Sequence, residues 1–141
     1  MNKFKVVFLM HEWAIAEALV EYLNNYIKVN NVRRIKKLVV KLGELQAIDK
    51  DILLFSLNEL LKIYSIPVEK IDLVDIDAYF QCRKCGHKWG LNDLNLNEDI
   101  REAIHFVPEV VFSYVKCPKC GSRDFEIISG RGVEIGEIVV E

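Results

Sequence analysis

The sequence predicts an α+β fold, a small mixed β-sheet with two helices, carrying an inserted four-cysteine, zinc-ribbon-like domain. Three observations predict it. Apolar residues recur at helical spacing in two stretches, a β-branched run follows each stretch, and two Cys-x-x-Cys pairs interrupt the chain before its last extended runs. With 141 residues, 51% of them hydrophobic and 28% charged, the chain is long enough and apolar enough to bury a core.

Residues 1–9 have no cap, no turn and no clear period, and fit a short strand, an apolar tail or neither. The pattern sharpens at Met10. Ile15, Leu19, Leu23 and Ile27, backed by Ala16 and Val20, predict an amphipathic helix from Glu12 to Val29, which Asn30-Asn31 ends. Ile35–Leu42 reads as a strand closed by Gly43. Asp49 is placed to cap a second helix, with Leu53, Leu57, Leu60, Leu61 and Tyr64 as its buried stripe and Pro67 as its stop. Val68–Phe80 reads as one further strand that runs straight into Cys82. A polar loop at 92–99 leads to a helical turn at Ile100–His105, and Val110–Val115 reads as a strand delivering the second cysteine pair. Asp124–Ser129 and Val133–Val140 are extended, joined by Gly130-Arg131-Gly132, and are expected to return to the first sheet.

The cysteines carry the clearest chemistry. Cys82-Arg83-Lys84-Cys85-Gly86 and Cys117-Pro118-Lys119-Cys120-Gly121 have the spacing of a tetrahedral four-cysteine zinc site, and they account for all four cysteines of the chain. Each following glycine suits a turn that needs positive φ. The 31 residues between the pairs exceed the roughly 15 to 20 of a compact ribbon. Four thiolates leave no open coordination position, so the expected role of the metal is structural. His87, two residues past Cys85, reads as a turn residue, and His105 as a residue that packs or faces water.

Several function classes are excluded or weakened. There is no Gly-rich phosphate loop, no glycine-flanked serine nucleophile and no recognisable acid/base carboxylate pair, so an enzyme is not expected. The net charge of −2 offers no general attraction to nucleic acid or membrane. Arg83, Lys84, Lys88, Lys116, Lys119 and Arg123 gather near the cysteines, but between Arg83 and Lys119 six basic residues face five acidic ones. A nucleic-acid or protein-docking zinc ribbon is therefore the alternative reading. No segment approaches the roughly 20 apolar residues of a membrane span, and the apolar run Val6–Met10 is too short for a secretion signal. Cysteines committed to metal point to the cytoplasm.

One more triplet matters, Met10-His11-Glu12 at the onset of the helical pattern. Inside a chain it is unremarkable. At a chain start, a free amine, backbone nitrogens and an imidazole could surround an ion in a plane, an arrangement suited to Ni(II) or Cu(II).

Met10-His11-Glu12-Trp13 opening a helix, Gly43-Glu44-Leu45 after the first strand, the two cysteine pairs and Ser129-Gly130-Arg131 together resemble the HypA family, in its archaeal type. The resemblance runs from Met10 to Glu141. It implies a nickel metallochaperone for [NiFe]-hydrogenase maturation, with the GTPase HypB and the hydrogenase large subunit as partners, and is compatible with a homodimer. It also implies nickel at Met10 (amine), His11 (imidazole) and Glu12 (backbone nitrogen or carboxylate), and structural zinc at Cys82, Cys85, Cys117 and Cys120. The implied division is an extension at 1–9, upstream of a functional start at Met10, a nickel-binding α/β domain at 10–80 and 124–141, and a zinc-binding domain at 81–123.

Overall fold

The computed structural model describes the backbone of residues 3–141 and the side chains from His11 onward. Met1 and Asn2, and the Met10 side chain, lie outside the described residues. The described residues fold as two compact units: those up to Val40, with 48–74 and 134–141, form the first, and residues 41–47 and 75–133 form the second.

In the first unit, helix α1 spans Lys3–Val29. It therefore begins well before the expected Glu12, since no glycine or proline between Lys3 and His11 interrupts it. Its end is as the sequence suggests: Asn31 takes φ 51°, and the Val32 amide folds back to the Ile27 carbonyl at 3.0 Å. Helix α2, Lys50–Ile63, is capped by Asp49, whose side chain accepts from the Ile52 amide at 3.1 Å. The two helices pack against each other, with Ala16, Val20 and Leu23 of α1 and Leu53 and Leu57 of α2 fully buried. Strands β1 (Ile35–Gly43), β2 (Ile71–Ile76) and β6 (Val133–Val140) form a sheet in the order β2-β1-β6. Alternate burial of Leu38, Val40 and Leu42 along β1 shows which face is turned inward.

The second unit is built on an antiparallel sheet whose central strand β3 (Tyr79–Cys82) pairs with β4 (Lys88–Gly90) and β5 (Phe125–Ser129). Helix α3, Glu98–Phe106, is capped by the Asn97 side chain at 2.9 Å from the Ile100 amide. A 3-10 turn at Pro108–Val110 leads into the short helix α4, Val111–Tyr114. The core gathers Leu45, Phe80, Trp89, Leu91, Ile104, Val111, Val115 and Phe125 around the inner cysteines Cys82 and Cys117. Phe80, Trp89 and Phe125 meet with ring centroids 5.4 to 5.6 Å apart.

Three expectations are corrected. The stretch Val68–Phe80 is not one strand, because the backbone leaves the first sheet at Asp77-Ala78. There the Ala78 amide donates to Glu44 Oε1 at 2.8 Å and the Ser129 hydroxyl donates to the Asp77 carbonyl at 2.8 Å. Val110–Val115 is not a strand: Pro108 opens a turn, and the i,i+4 pair Val111 and Val115 is buried on one side of a helical turn. Burial overrides the β-propensity of valine here. Of the two terminal strands only β6 joins the first sheet, whereas β5 pairs with β3 in the second. The core of the second unit takes in Leu45 and Ala78 as well as residues between the cysteine pairs.

Gly130 marks the tightest approach in this unit. It has φ +85°, and a Cβ there would lie 2.3 Å from the Ala78 Cα. Gly130→Ala should therefore destabilise the protein by at least about 2 kcal/mol, combining left-handed strain with a backbone clash. Denaturant unfolding of the metal-loaded chain measures this, and an unchanged midpoint would contradict the packing described.

Candidate metal centre

Each cysteine pair sits on a tight turn whose backbone is built to face a sulfur. In the first, the Gly86 amide donates to the Cys82 carbonyl at 3.0 Å, the Cys82 amide donates to the His87 carbonyl at 2.8 Å, and the Cys85 amide donates to Cys82 Sγ at 3.4 Å. The second repeats the pattern, with the Gly121 amide on the Cys117 carbonyl and the Cys117 amide on the Ser122 carbonyl, each at 2.8 Å. Gly86 and Gly121 have φ of +78° and +76°, the conformation expected from the sequence.

The turns bring four sulfurs together. Cys82 and Cys120 are 3.6 Å apart, Cys85 and Cys117 are 3.7 Å apart, and all four sulfurs lie within 4.8 Å of one another. A zinc ion with bonds of about 2.3 Å at tetrahedral angles would separate its sulfurs by about 3.8 Å, so the donor set fits such an ion. The site is half in and half out of the core: Cys82 and Cys117 are buried, and Cys85 and Cys120 are exposed.

The charges show why a cation belongs there. Donation from the Cys85 backbone amide pulls the Cys82 thiol down to about 6. The Ser122 backbone amide favours a Cys120 thiolate too, but burial and the three neighbouring sulfurs outweigh it and push that thiol up to about 11. Four thiolates so close repel one another unless a divalent ion neutralises them.

Arg83 also ties the two knuckles. Its Nη1 donates to Asp124 Oδ1 at 3.1 Å and to the Phe125 carbonyl at 3.4 Å, and its Nη2 lies 3.8 Å from Glu126. Arg123 donates to the Ser113 carbonyl at 3.2 Å. In the sequence both arginines are simply basic residues gathered near the cysteines. Two acids on either side of Phe125, Asp124 just before β5 and Glu126 within it, are the sequence signal that one of them is paired. His87 stacks over Trp89 at 6.0 Å, as a turn residue resting on the core, and His105 is buried with its ring edge-on to Phe106 at 5.0 Å.

Met10, His11 and Glu12 lie within α1, so the Met10 nitrogen is a peptide nitrogen in this chain. His11 Nδ1 is 3.1 Å from Glu12 Oε1. Glu12 is only 1% exposed, and burial raises its pKa although the His11 hydrogen bond works in the opposite direction.

The model of the family described as "Hydrogenase/urease nickel incorporation, metallochaperone, hypA" matches residues 10–140. The chain belongs to the HypA family. The hydrogenase maturation factor HypA of Pyrococcus furiosus is 45% identical over 134 residues, covering 94% of this chain and 96% of that protein. That of Ignicoccus hospitalis is 31% identical over 129 residues, covering 86% and 89%. The solution structure of the Ni metallochaperone HypA from Helicobacter pylori is similar in fold, with a TM-score of 0.59 at 20% identity, covering 92% of this chain and 96% of that one. HypA proteins are metallochaperones and maturation factors rather than enzymes, in keeping with a sulfur set that leaves no open ligand position.

Proton competition at the sulfurs sets a pH dependence. At neutral pH a metal ion must displace the proton of Cys120, and below about pH 6 it must displace that of Cys82 as well. Apparent zinc affinity, measured by chelator competition, should rise steadily from pH 5.5 to 8.5 with protons released on binding. A flat profile would contradict thiolate ligation.

Proposed function

We propose that this protein carries Ni(II) to the large subunit of a [NiFe]-hydrogenase in the cytoplasm, in cooperation with the GTPase HypB. The observation that supports the reading is the HypA family match over residues 10–140, whose first residue is the Met10 of Met10-His11-Glu12. The functional chain starts at Met10, and residues 1–9 are an upstream extension. Nickel is held by the Met10 amine, the His11 imidazole and Glu12, an arrangement of nitrogen donors in a plane that suits this ion. The first compact unit, which bears α1, is the nickel-binding domain. The second holds zinc on Cys82, Cys85, Cys117 and Cys120, and there zinc contributes folding energy rather than reactivity.

This reading makes the terminal amine indispensable. A chain starting at Met1 supplies only a peptide nitrogen at Met10, and planar nitrogen ligation then loses a donor. A nucleic-acid zinc ribbon has less support, since Arg83 is engaged by Asp124 and Glu126 instead of facing a phosphate.

Nickel titration of forms starting at Met1 and at Met10, side by side, tests the proposal. The Met10 form should bind one Ni(II) tightly. The Met1 form and His11→Ala in the Met10 form should each lose more than the roughly 10–100-fold that removal of an outer-shell partner costs. Equal affinity in all three would sink the assignment.

A further inference from the structure

We propose that Arg83 is a positioning residue that keeps nickel out of the cysteine quartet, by fixing the angle between the two knuckles at a tetrahedral setting that zinc accepts and nickel disfavours. The inference rests on the reading of the quartet as a zinc site in a protein that handles nickel, and it names the residue that decides between the two metals there.

A nickel carrier that also bears four thiolates faces a selectivity problem. Affinity alone does not exclude Ni(II), which stands close to zinc in the usual order of divalent ions, so the choice falls to geometry. With bonds of about 2.3 Å, tetrahedral sulfurs all lie about 3.8 Å apart, whereas planar ones have neighbours about 3.3 Å apart and diagonals of about 4.6 Å. Two sulfur pairs cross between the knuckles, Cys82 with Cys120 at 3.6 Å and Cys85 with Cys117 at 3.7 Å, and both are nearer the tetrahedral edge than either planar distance. To reach the plane, one Cys-x-x-Cys turn must rotate against the other by about a quarter turn.

Arg83 opposes that rotation from inside the first knuckle. Its amide donates to the Asp124 carbonyl at 2.9 Å, and its guanidinium donates to Asp124 Oδ1 at 3.1 Å and to the Phe125 carbonyl at 3.4 Å, with Glu126 3.8 Å away. Cys82 itself is held in register opposite Phe125. The first knuckle is thereby fastened to the stretch that leaves the second. That stretch is anchored in turn, since the Asp124 amide donates to Ser122 Oγ at 3.0 Å and the Cys117 amide to the Ser122 carbonyl at 2.8 Å. Where the first knuckle has Arg83, the second has Pro118. Proline stiffens its own turn but has no amide to donate and no side chain to reach across, so this cross-tie is made from the first knuckle.

An exposed ion pair by itself contributes little to stability. The Arg83 and Asp124 side chains are 55% and 67% exposed, so attraction between their charges does not make a clamp. What distinguishes Arg83 is its planar fork, which meets carboxylate and backbone acceptors from three successive residues and so fixes direction as well as distance. Lys84, next to it in the same turn, is exposed and forms no ion pair among the described residues, which makes it the control.

The test uses the full chain as wild type and as Arg83→Ala, Arg83→Lys and Lys84→Ala, each loaded with zinc and then incubated with excess Ni(II). Zinc release is followed with a chelating dye, and thiolate-to-nickel charge-transfer absorption reports nickel on sulfur separately from nickel on nitrogen. The ratio of nickel to zinc affinity at the sulfurs is expected to rise about tenfold in Arg83→Ala, the lower end of what losing an outer-shell partner costs. It should rise less in Arg83→Lys, which keeps the charge without the fork, and stay at the wild-type value in Lys84→Ala. An unchanged ratio in Arg83→Ala would overturn the proposal. So would zinc loss without the nickel-thiolate band, the signature of a merely loosened fold. Zinc-edge X-ray absorption of the wild type reads the zinc assignment independently: four sulfur neighbours with an unchanged ratio refute the role of Arg83 alone, whereas zinc without sulfur neighbours removes both readings.

Discussion

Four cysteine sulfurs held within 4.8 Å of one another cannot all carry their charge without a cation, and the second unit is arranged around that constraint. The two knuckles supply backbone amides that favour thiolate, while the two inner cysteines, Cys82 and Cys117, are also members of the hydrophobic core. Metal affinity and core packing are therefore one problem. Phe80, Trp89 and Phe125 fix the strands that end in knuckles, and the knuckles fix where those strands end. Losing the ion would leave mutually repelling groups at the edge of an aromatic cluster, so the cost would spread beyond the site.

The same constraint divides the labour of the molecule. A closed sulfur set holds its ion too completely to serve as a carrier that must release cargo, and it lacks the open position that a catalytic metal uses. Metal to be transported is better held by a few donors near a chain end, where exchange is easy. The proposed assignment of nickel to Met10-His11-Glu12 follows that logic, and the burial of Glu12 beside His11 gives the histidine an oriented neighbour. The polypeptide is continuous between the two functions. Residues 41–47, which follow the body of β1 in the first unit, contribute Leu45 to the core of the second and Glu44 to the amide of Ala78.

Much of this was legible in the sequence, for identifiable reasons. Cys-x-x-Cys-Gly twice over prescribes two turns with positive φ at glycine, and both are found. Asp49 opens α2 because capping is a local effect, whereas the helix ends at Ile63, ahead of the expected stop at Pro67, where Ser65 takes φ 57° and the Ile66 amide folds back to the Leu61 carbonyl at 2.9 Å. Where the answer depended on distant partners, the reading was incomplete. The break at Asp77-Ala78 is made by Glu44 and Ser129, far away along the chain. Val110–Val115 has strand-like composition, and only the core facing Val111 and Val115 turns it into a helical hook. In the sequence Arg83 is one of several surface cations, and only the fold sets Asp124 and Glu126 beside it.

The central claim, that the cysteine quartet keeps a structural ion while nickel sits elsewhere on nitrogen-rich donors, is tested most directly by X-ray absorption at the zinc and nickel edges of one sample of the Met10 form loaded with both metals. The account predicts four sulfur neighbours of zinc at about 2.3 Å and a nickel shell of nitrogen and oxygen without thiolate sulfur. Thiolate sulfur bound to nickel, or zinc found with nitrogen and oxygen in place of the four sulfurs, would contradict it.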